Sequence, residues 1–273
     1  AIPKIIEGKD LIGCAQTGTG KTAAFLLPVI DFLVKNPRKQ DNGIRAMVIV
    51  PTRELATQID QQMEGFSYFV GLSSLPVYGG GDSMGWEQQR RALEQGADLI
   101  IATPGRLIAH IQMGYVNLSE VEFLILDEAD RMLDMGFYDD LMSIITKLPA
   151  KRQNLMFSAT MPSQIRAIAQ KHLKNAQEIK IESKTSTVER ITQRYVMLDG
   201  NQKLDALTRV LEGEEYDASI IFVRTKSATE EIAEKLGARG YAVACLNGDM
   251  NQANREQTIS RLKASQIDVI VAT

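Results

Sequence analysis

Short runs of Ile, Leu and Val alternate along this chain with longer stretches whose apolar residues recur every three or four positions. The run Leu11-Ile12-Gly13-Cys14-Ala15 precedes a helical pattern over 21–35. Ala46-Met47-Val48-Ile49-Val50 then precedes a second helical pattern over 53–69. Apolar runs without polar alternation mark strands buried on both faces, and helical segments between them are long enough to cross back over a sheet. The alternation predicts an α/β fold, a parallel sheet covered by helices, with further strands at 75–78, 98–103, 123–126, 154–158 and 178–181.

After Ile181 the chain turns polar and loses its apolar periodicity through Arg190, which reads as an exposed connector. A shorter alternating series follows, with strands expected at 193–198, 219–223, 242–246 and 268–272 and helices near 203–211, 228–239 and 252–262. The expected organisation is a first domain over 1–183, a linker over 184–190 and a second domain over 191–273. Asp98 to Thr103 and Asp268 to Thr273 share the pattern D-x-I-x-A-T. Buried parallel strands draw on so small an alphabet that coincidence and duplication explain this equally well.

Composition adds limits. At 273 residues there is room for two cores of ~100–200 residues each. Hydrophobic residues make up 44% and charged residues 24%, as in ordinary globular proteins, and no apolar stretch approaches the ~20 residues of a membrane span. Cys14 and Cys245 have no C-x-x-C partner, so neither a zinc site nor a disulfide framework is indicated, and a reducing cytoplasm is the expected compartment. The net charge of −3 neither demands nor excludes nucleic acid, because phosphodiester binding depends on where cations cluster.

Two stretches carry candidate chemistry. Ala15 to Thr22 read AQTGTGKT between a strand and a helix. A loop of the form G-x-x-x-x-G-K-[ST] cradles phosphates with backbone N–H groups, reaches the terminal phosphates with its Lys and holds Mg²⁺ with its hydroxyl. Here Ala15 takes the first glycine's place, while Gly20, Lys21 and Thr22 keep theirs. A connecting glycine turn is the alternative. Further on, a buried strand at 123–126 runs into Asp127-Glu128-Ala129-Asp130. That is where hydrolytic nucleotide-binding enzymes place a metal-holding acid and a neighbour that polarises water. An acidic helix N-cap explains the tetrapeptide alone equally well.

Taken in order, AQTGTGKT (15–22), PTRELA (51–56), Gly79-Gly80, TPGR (103–106), DEAD (127–130) and SAT (158–160) resemble the DEAD-box ATP-dependent RNA helicases of helicase superfamily 2. Weaker echoes follow in IIFVRT (220–225), NGDM (247–250), the Q-x-x-R spacing of Gln252 and Arg255, and VAT (271–273). The resemblance implies two RecA-like domains, the second incomplete, with ATP and Mg²⁺ as cofactors and RNA, gripped by its sugar-phosphate backbone, as partner. It also implies that the family's adenine-reading glutamine would stand before Ala1 and its arginine-rich motif after Thr273.

Residue roles transfer with the resemblance. Gln16, Thr17, Gly18, Thr19, Gly20, Lys21 and Thr22 would bind the nucleotide, with Lys21 on the β and γ phosphates. Thr22 and Asp127 would organise Mg²⁺, and Glu128 would orient or deprotonate the lytic water. Asp130, Ser158 and Thr160 would couple nucleotide state to domain arrangement, although hydroxyls capping a helix ahead of Met161-Pro162 explain SAT as well. The RNA path would run over Pro51, Thr52, Arg53, Gly80, Thr103, Pro104 and Arg106, with Gly248, Gln252, Arg255 and Thr273 contributed by the second domain. Residues alone read Gly80 as part of an ordinary turn.

His110 and His172 are expected to lie at the surface or pack, Trp86 to pack, and Met132, Met135 and Met142 to fill a core. A non-catalytic RNA clamp, an inactive nucleotide-binding fragment and a DNA-acting relative stay open beside the helicase. A small-molecule kinase has no use for PTREL, TPGR and SAT.

Overall fold

The computed structural model describes residues 1–16, 18–38, 42–80, 83–181, 191–199 and 202–273. The stretch 184–190, expected as the linker, lies outside them, as does Thr17. The chain divides into two compact units, Ala1–Thr187 and Val188–Thr273.

In the first unit a short helix α1 (Ile2–Ile6) leads into β1 (Leu11–Cys14) and α2 (Lys21–Lys35). The order continues through β2 (Ala46–Ile49), α3 (Arg53–Ser67), β3 (Ser74–Val77), α4 (Ser83–Gln95), β4 (Leu99–Ala102) and α5 (Pro104–Gln112). It ends with β5 (Phe123–Leu126), α6 (Ala129–Asp134), α7 (Tyr138–Ile145), β6 (Gln153–Ser158), α8 (Ser163–His172) and β7 (Gln177–Lys180). Among the described residues the strands form one seven-stranded sheet in the order β3-β4-β2-β5-β6-β1-β7. Every neighbouring pair is parallel.

The strand sequences explain this placement. The strands β2, β4 and β5 are buried at every position, so they need apolar side chains on both faces. Successive residues point to opposite faces, and each face builds its own core. Ala46, Val48, Phe123, Ile125, Leu155 and Phe157 pack under Phe25, Val29 and Ile59 from α2 and α3. Met47, Ile49, Leu124, Leu126 and Met156 pack against Leu107, Met132, Ile144 and Ile165 from the later helices. The edge strand β7 reads Gln-Glu-Ile-Lys and is mostly exposed, a composition that discourages pairing with another chain.

The second unit comprises α9 (Lys203–Gly213), β8 (Ser219–Phe222), α10 (Lys226–Ala238), β9 (Val243–Leu246), α11 (Gln252–Lys263) and β10 (Val269–Ala272). Among the described residues its parallel sheet runs β8-β10-β9, with β10 buried throughout at the centre. The strand expected at 193–198 does not form. These residues have no regular structure, and Tyr195 is 88% exposed. A β-rich sequence becomes a strand only when a neighbour supplies ladder hydrogen bonds, and among the described residues none pairs with this one.

Because all strands in a unit are parallel, their C-terminal ends lie along one edge, and the first unit's motifs stand at or just after such ends. In the first unit β5, β6 and β1 are neighbours and lead into DEAD, SAT and the glycine loop. On the other half of the same edge β3, β4 and β2 lead into Gly79-Gly80, TPGR and PTREL.

Candidate functional site

The glycine loop is built by four features. The Ala15 N–H donates to the Ser158 carbonyl at 3.1 Å, tying the loop's entrance to the end of β6. Gly18 and Gly20 then adopt φ of 83° and 81°, a region where a Cβ is strained. Gly20 is also the N-cap of α2 and offers no side-chain acceptor, so the helix keeps first-turn N–H groups available for an anion. The Thr19 hydroxyl donates to the Gln16 carbonyl at 2.8 Å, bracing the turn. Lys21 and Thr22 occupy the first turn of α2.

Across from this loop, the end of β5 carries Asp127, whose N–H donates to Ile49 O at 3.0 Å and which is only 3% exposed. Burial pushes its carboxyl up to about 6, against the pull of the Lys21 ammonium and the Glu128 N–H; Glu128 and Asp130 push it the same way as burial. The next residue, Glu128, takes φ 51° and ψ 47°, a left-handed conformation costing a non-glycine residue about 1–2 kcal/mol. This turn lets the chain leave β5 and enter α6 at once. Glu128 stands at the N-cap position of α6 without capping it, and its carboxylate pairs with Arg131 at 3.2 Å. Gly18, Gly20, Lys21, Thr22, Asp127 and Glu128 line one cleft of about 360 Å³ together with Leu55, Gln58 and Gln62 of α3. A lysine, a hydroxyl, a helix N-terminus and two adjacent carboxylates in one cleft can hold a polyphosphate and activate water beside it.

The last residue of the tetrapeptide is bonded to SAT. Thr160 N–H and its hydroxyl donate to Asp130 Oδ2 at 2.8 and 2.7 Å, while Ser158 Oγ accepts from the Asp130 N–H at 3.2 Å. Burial raises the Asp130 carboxyl, but the bonds from Thr160, Ser158 and the Arg131 N–H outweigh it and hold it below the usual carboxylate range. Helix α8 begins after Pro162 with no side-chain cap, so these hydroxyls serve Asp130 and not the helix.

On the other half of the edge, Thr52 caps α3 by accepting from the Leu55 N–H at 3.3 Å, and Arg53 follows with its guanidinium 5.2 Å from the Tyr78 ring. Pro51 is buried at this corner. Gly80 takes φ 90°, which requires glycine. Thr103 is the N-cap of α5 and Pro104 its first residue, where the missing N–H costs nothing.

Arg106 is held from several sides. Its Nε donates to Gln89 Oε1 at 3.0 Å and Tyr78 O at 3.2 Å, and its guanidinium lies 4.6 Å from the Trp86 ring centre. Trp86 stacks on buried His110 at 4.0 Å and 15°, and His110 hydrogen-bonds Tyr115. Trp86 and His110 therefore pack, with Trp86 lying against Arg106 and His110 behind it. Tyr78, Gln89 and Tyr115 were missed by sequence reasoning. The available signal was helical spacing: Trp86 with Gln89, and Arg106 with His110, lie one turn apart on α4 and α5.

In the second unit, Gly248 and Thr273 follow β9 and β10 at the C-terminal edge, and Gln252 and Arg255 lie in the first turn of α11. A Cβ on Gly248 would meet the Lys226 side chain at 3.5 Å. Lys226 pairs with Asp249, another contact that the sequence did not disclose.

The DEAD/DEAH box helicase profile matches residues 1–168, and the helicase conserved C-terminal domain profile matches 202–273. The whole chain is 49% identical to the ATP-dependent RNA helicase DeaD of Buchnera aphidicola (subsp. Schizaphis graminum), spanning 44% of its length. It is 46% identical to the protein of that name from Escherichia coli K12, spanning 42%. The chain thus spans less than half the length of these relatives. It is also similar in structure to a DEAD box protein from the hyperthermophile Methanococcus jannaschii, at 35% identity and a TM-score of 0.61, covering 100% of this chain and 71% of that one.

Proposed function

This chain belongs to the DEAD/DEAH box helicase family, and on that premise we propose that the protein containing it is an ATP-dependent RNA helicase whose chemistry is run from the cleft between the glycine loop and DEAD. The observation that carries the proposal is the convergence on that cleft of Lys21 and the Asp127-Glu128 pair. Lys21 and the first-turn N–H groups of α2 bind the β and γ phosphates, Gln16, Gly18 and Thr19 meet the same nucleotide, with Thr17 assigned to it from its place in the motif, and Glu128 orients the attacking water and takes its proton.

Thr22 and Asp127 are the residues that would hold Mg²⁺. A hydroxyl and a carboxylate are the hard oxygen donors this ion prefers, and so small a protein set suits an ion that shares its shell with substrate phosphates and water. When bound, Mg²⁺ neutralises charge that develops on the phosphates.

RNA lies over Pro51, Thr52, Arg53, Gly80, Thr103, Pro104 and Arg106, and Gly248, Gln252, Arg255 and Thr273 grip the same strand from the second domain, 191–273. All of these would meet sugar and phosphate, so binding ignores base identity. ATP and RNA together favour a closed arrangement of the two domains, in which a bent strand cannot stay paired, and hydrolysis releases it. A ligand that contacts both domains only when closed has the differential affinity this requires. Asp130, with Ser158 and Thr160, links the phosphate end of the cleft to that motion. Free thiols at Cys14 and Cys245 suit a reducing cytoplasm.

The test is phosphate release by the full-length protein with and without single-stranded RNA. RNA should stimulate turnover, and Glu128→Gln should lower it by about 100-fold or more while nucleotide binding persists. Turnover left intact in that variant would refute the assignment. Equal stimulation by matched DNA would point to a DNA-acting enzyme, and RNA binding without strand separation to a clamp.

A further inference from the structure

Arg106 has five N–H donors, and the structure accounts for one of them twice over. Its Nε–H is shared between Gln89 Oε1 and Tyr78 O, while among the described residues Nη1 and Nη2 have no partner. The flat face of the guanidinium is covered by Trp86. An anchored Nε and a covered face leave one rotational setting, with the two terminal amines forming a fork of the kind that meets a phosphate.

The groups behind Arg106 are themselves ordered. Gln89 Nε2 donates to Tyr78 O at 3.2 Å, so its Oε1 must face Arg106 and His110, both of which approach it, His110 Nε2 at 3.2 Å. A reversed amide would set N–H against N–H. Burial, helped by the Arg106 charge, lowers the His110 pKa to about 4, so the ring is neutral near pH 7. Its Nε2 then carries the proton donated to Gln89, and its Nδ1 accepts from the Tyr115 hydroxyl. The neutral ring also avoids placing a second cation beside Arg106.

We propose that Gln89 and Trp86, backed by His110 and Tyr115, are positioning residues that preset Arg106 so that only its two terminal amines are presented to an RNA phosphate. This rests on the reading of TPGR as part of the RNA surface. Presetting a long side chain removes an ordering cost otherwise met on binding.

The experiment is fluorescence anisotropy of the full-length protein with a labelled single-stranded oligouridylate and a non-hydrolysable ATP analogue, over a salt series. Arg106→Ala should weaken binding about 10-fold or more, the usual loss for a charged hydrogen bond. It should also make the slope of log affinity against log salt shallower by about 0.7, the value of one phosphate on a single strand. Gln89→Met, similar in shape but without the amide, should weaken binding about 3- to 10-fold in the native background and not at all in the Arg106→Ala background. Trp86→Ala should weaken binding about 2- to 5-fold and Trp86→Phe, which keeps an aromatic face, should restore it.

An equal loss from Gln89→Met in both backgrounds would mean that Gln89 only supports the fold, and the proposal fails. It fails equally if Gln89→Met is silent while Arg106→Ala weakens binding. If Arg106→Ala itself changes neither affinity nor salt slope, the RNA reading of TPGR falls and the positioning role with it.

Discussion

Asp127 should lower the stability of the nucleotide-free protein, and replacing it with Asn should raise that stability. The carboxyl is buried at the end of β5, and its pKa rises from 3.8 in the unfolded chain to about 6, chiefly through lost hydration. A carboxyl whose folded value is raised contributes its full share of stability below pH 3.8 and loses it as the pH climbs through about 6. At 1.36 kcal/mol per pH unit, the ionised site costs about 3 kcal/mol above pH 7. Asp127→Asn keeps the acceptor for the Glu128 N–H, which lies at 3.0 Å, and removes the charge.

Trp86 is the chain's single tryptophan and lies in the first unit, so its fluorescence in a urea titration follows that unit alone. The variant should match the wild type near pH 4, gain stability between pH 4 and 6, and lead by about 1–3 kcal/mol at pH 8. In a thermal melt this is about 2–4 °C per kcal/mol. A variant no more stable than wild type at pH 8, or a gap that does not change with pH, would refute the reasoning.

The same ionisation should shape catalysis: kcat/KM for ATP, which reports the free enzyme, should fall about tenfold per pH unit below about 6, and a plateau down to pH 5 would contradict it. Gly13→Ala would set a Cβ 2.6 Å from the ring of Phe157, itself packed 5.3 Å from Phe25, so urea titration should show a loss of about 1–3 kcal/mol; a neutral result would mean the ring can yield. Thr160→Val removes the hydroxyl bond to Asp130 and keeps the N–H bond, so thermal melts should show under about 1 kcal/mol of change while duplex unwinding falls more than ATP turnover; equal falls would argue against a coupling role.

Local pattern determined much of this protein. The runs at 46–50, 98–103 and 123–126 read as strands buried on both faces, which they are, and parallel strands place every following loop on one edge. The glycine loop, DEAD and SAT were therefore legible as lying on one edge, since each adjoins an apolar run, but the strand order that makes them neighbours was not. The same reasoning failed at 193–198, where strand formation depends on a partner that the segment cannot specify.

Tertiary structure alone decided the electrostatics and the supports. The raised Asp127 carboxyl follows from burial beneath neighbouring loops, and the lowered Asp130 carboxyl from hydroxyls 28 and 30 residues away along the chain. Trp86 and His110 read as packing residues because sequence shows side-chain type but not the neighbour met across two helices. Only the approach of α4 to α5 turns them, with Gln89, into a mount for Arg106. Periodicity is set by bonds between residues a few positions apart and so is written locally, whereas desolvation and hydrogen-bond partnership depend on what the folded chain brings within a few ångströms.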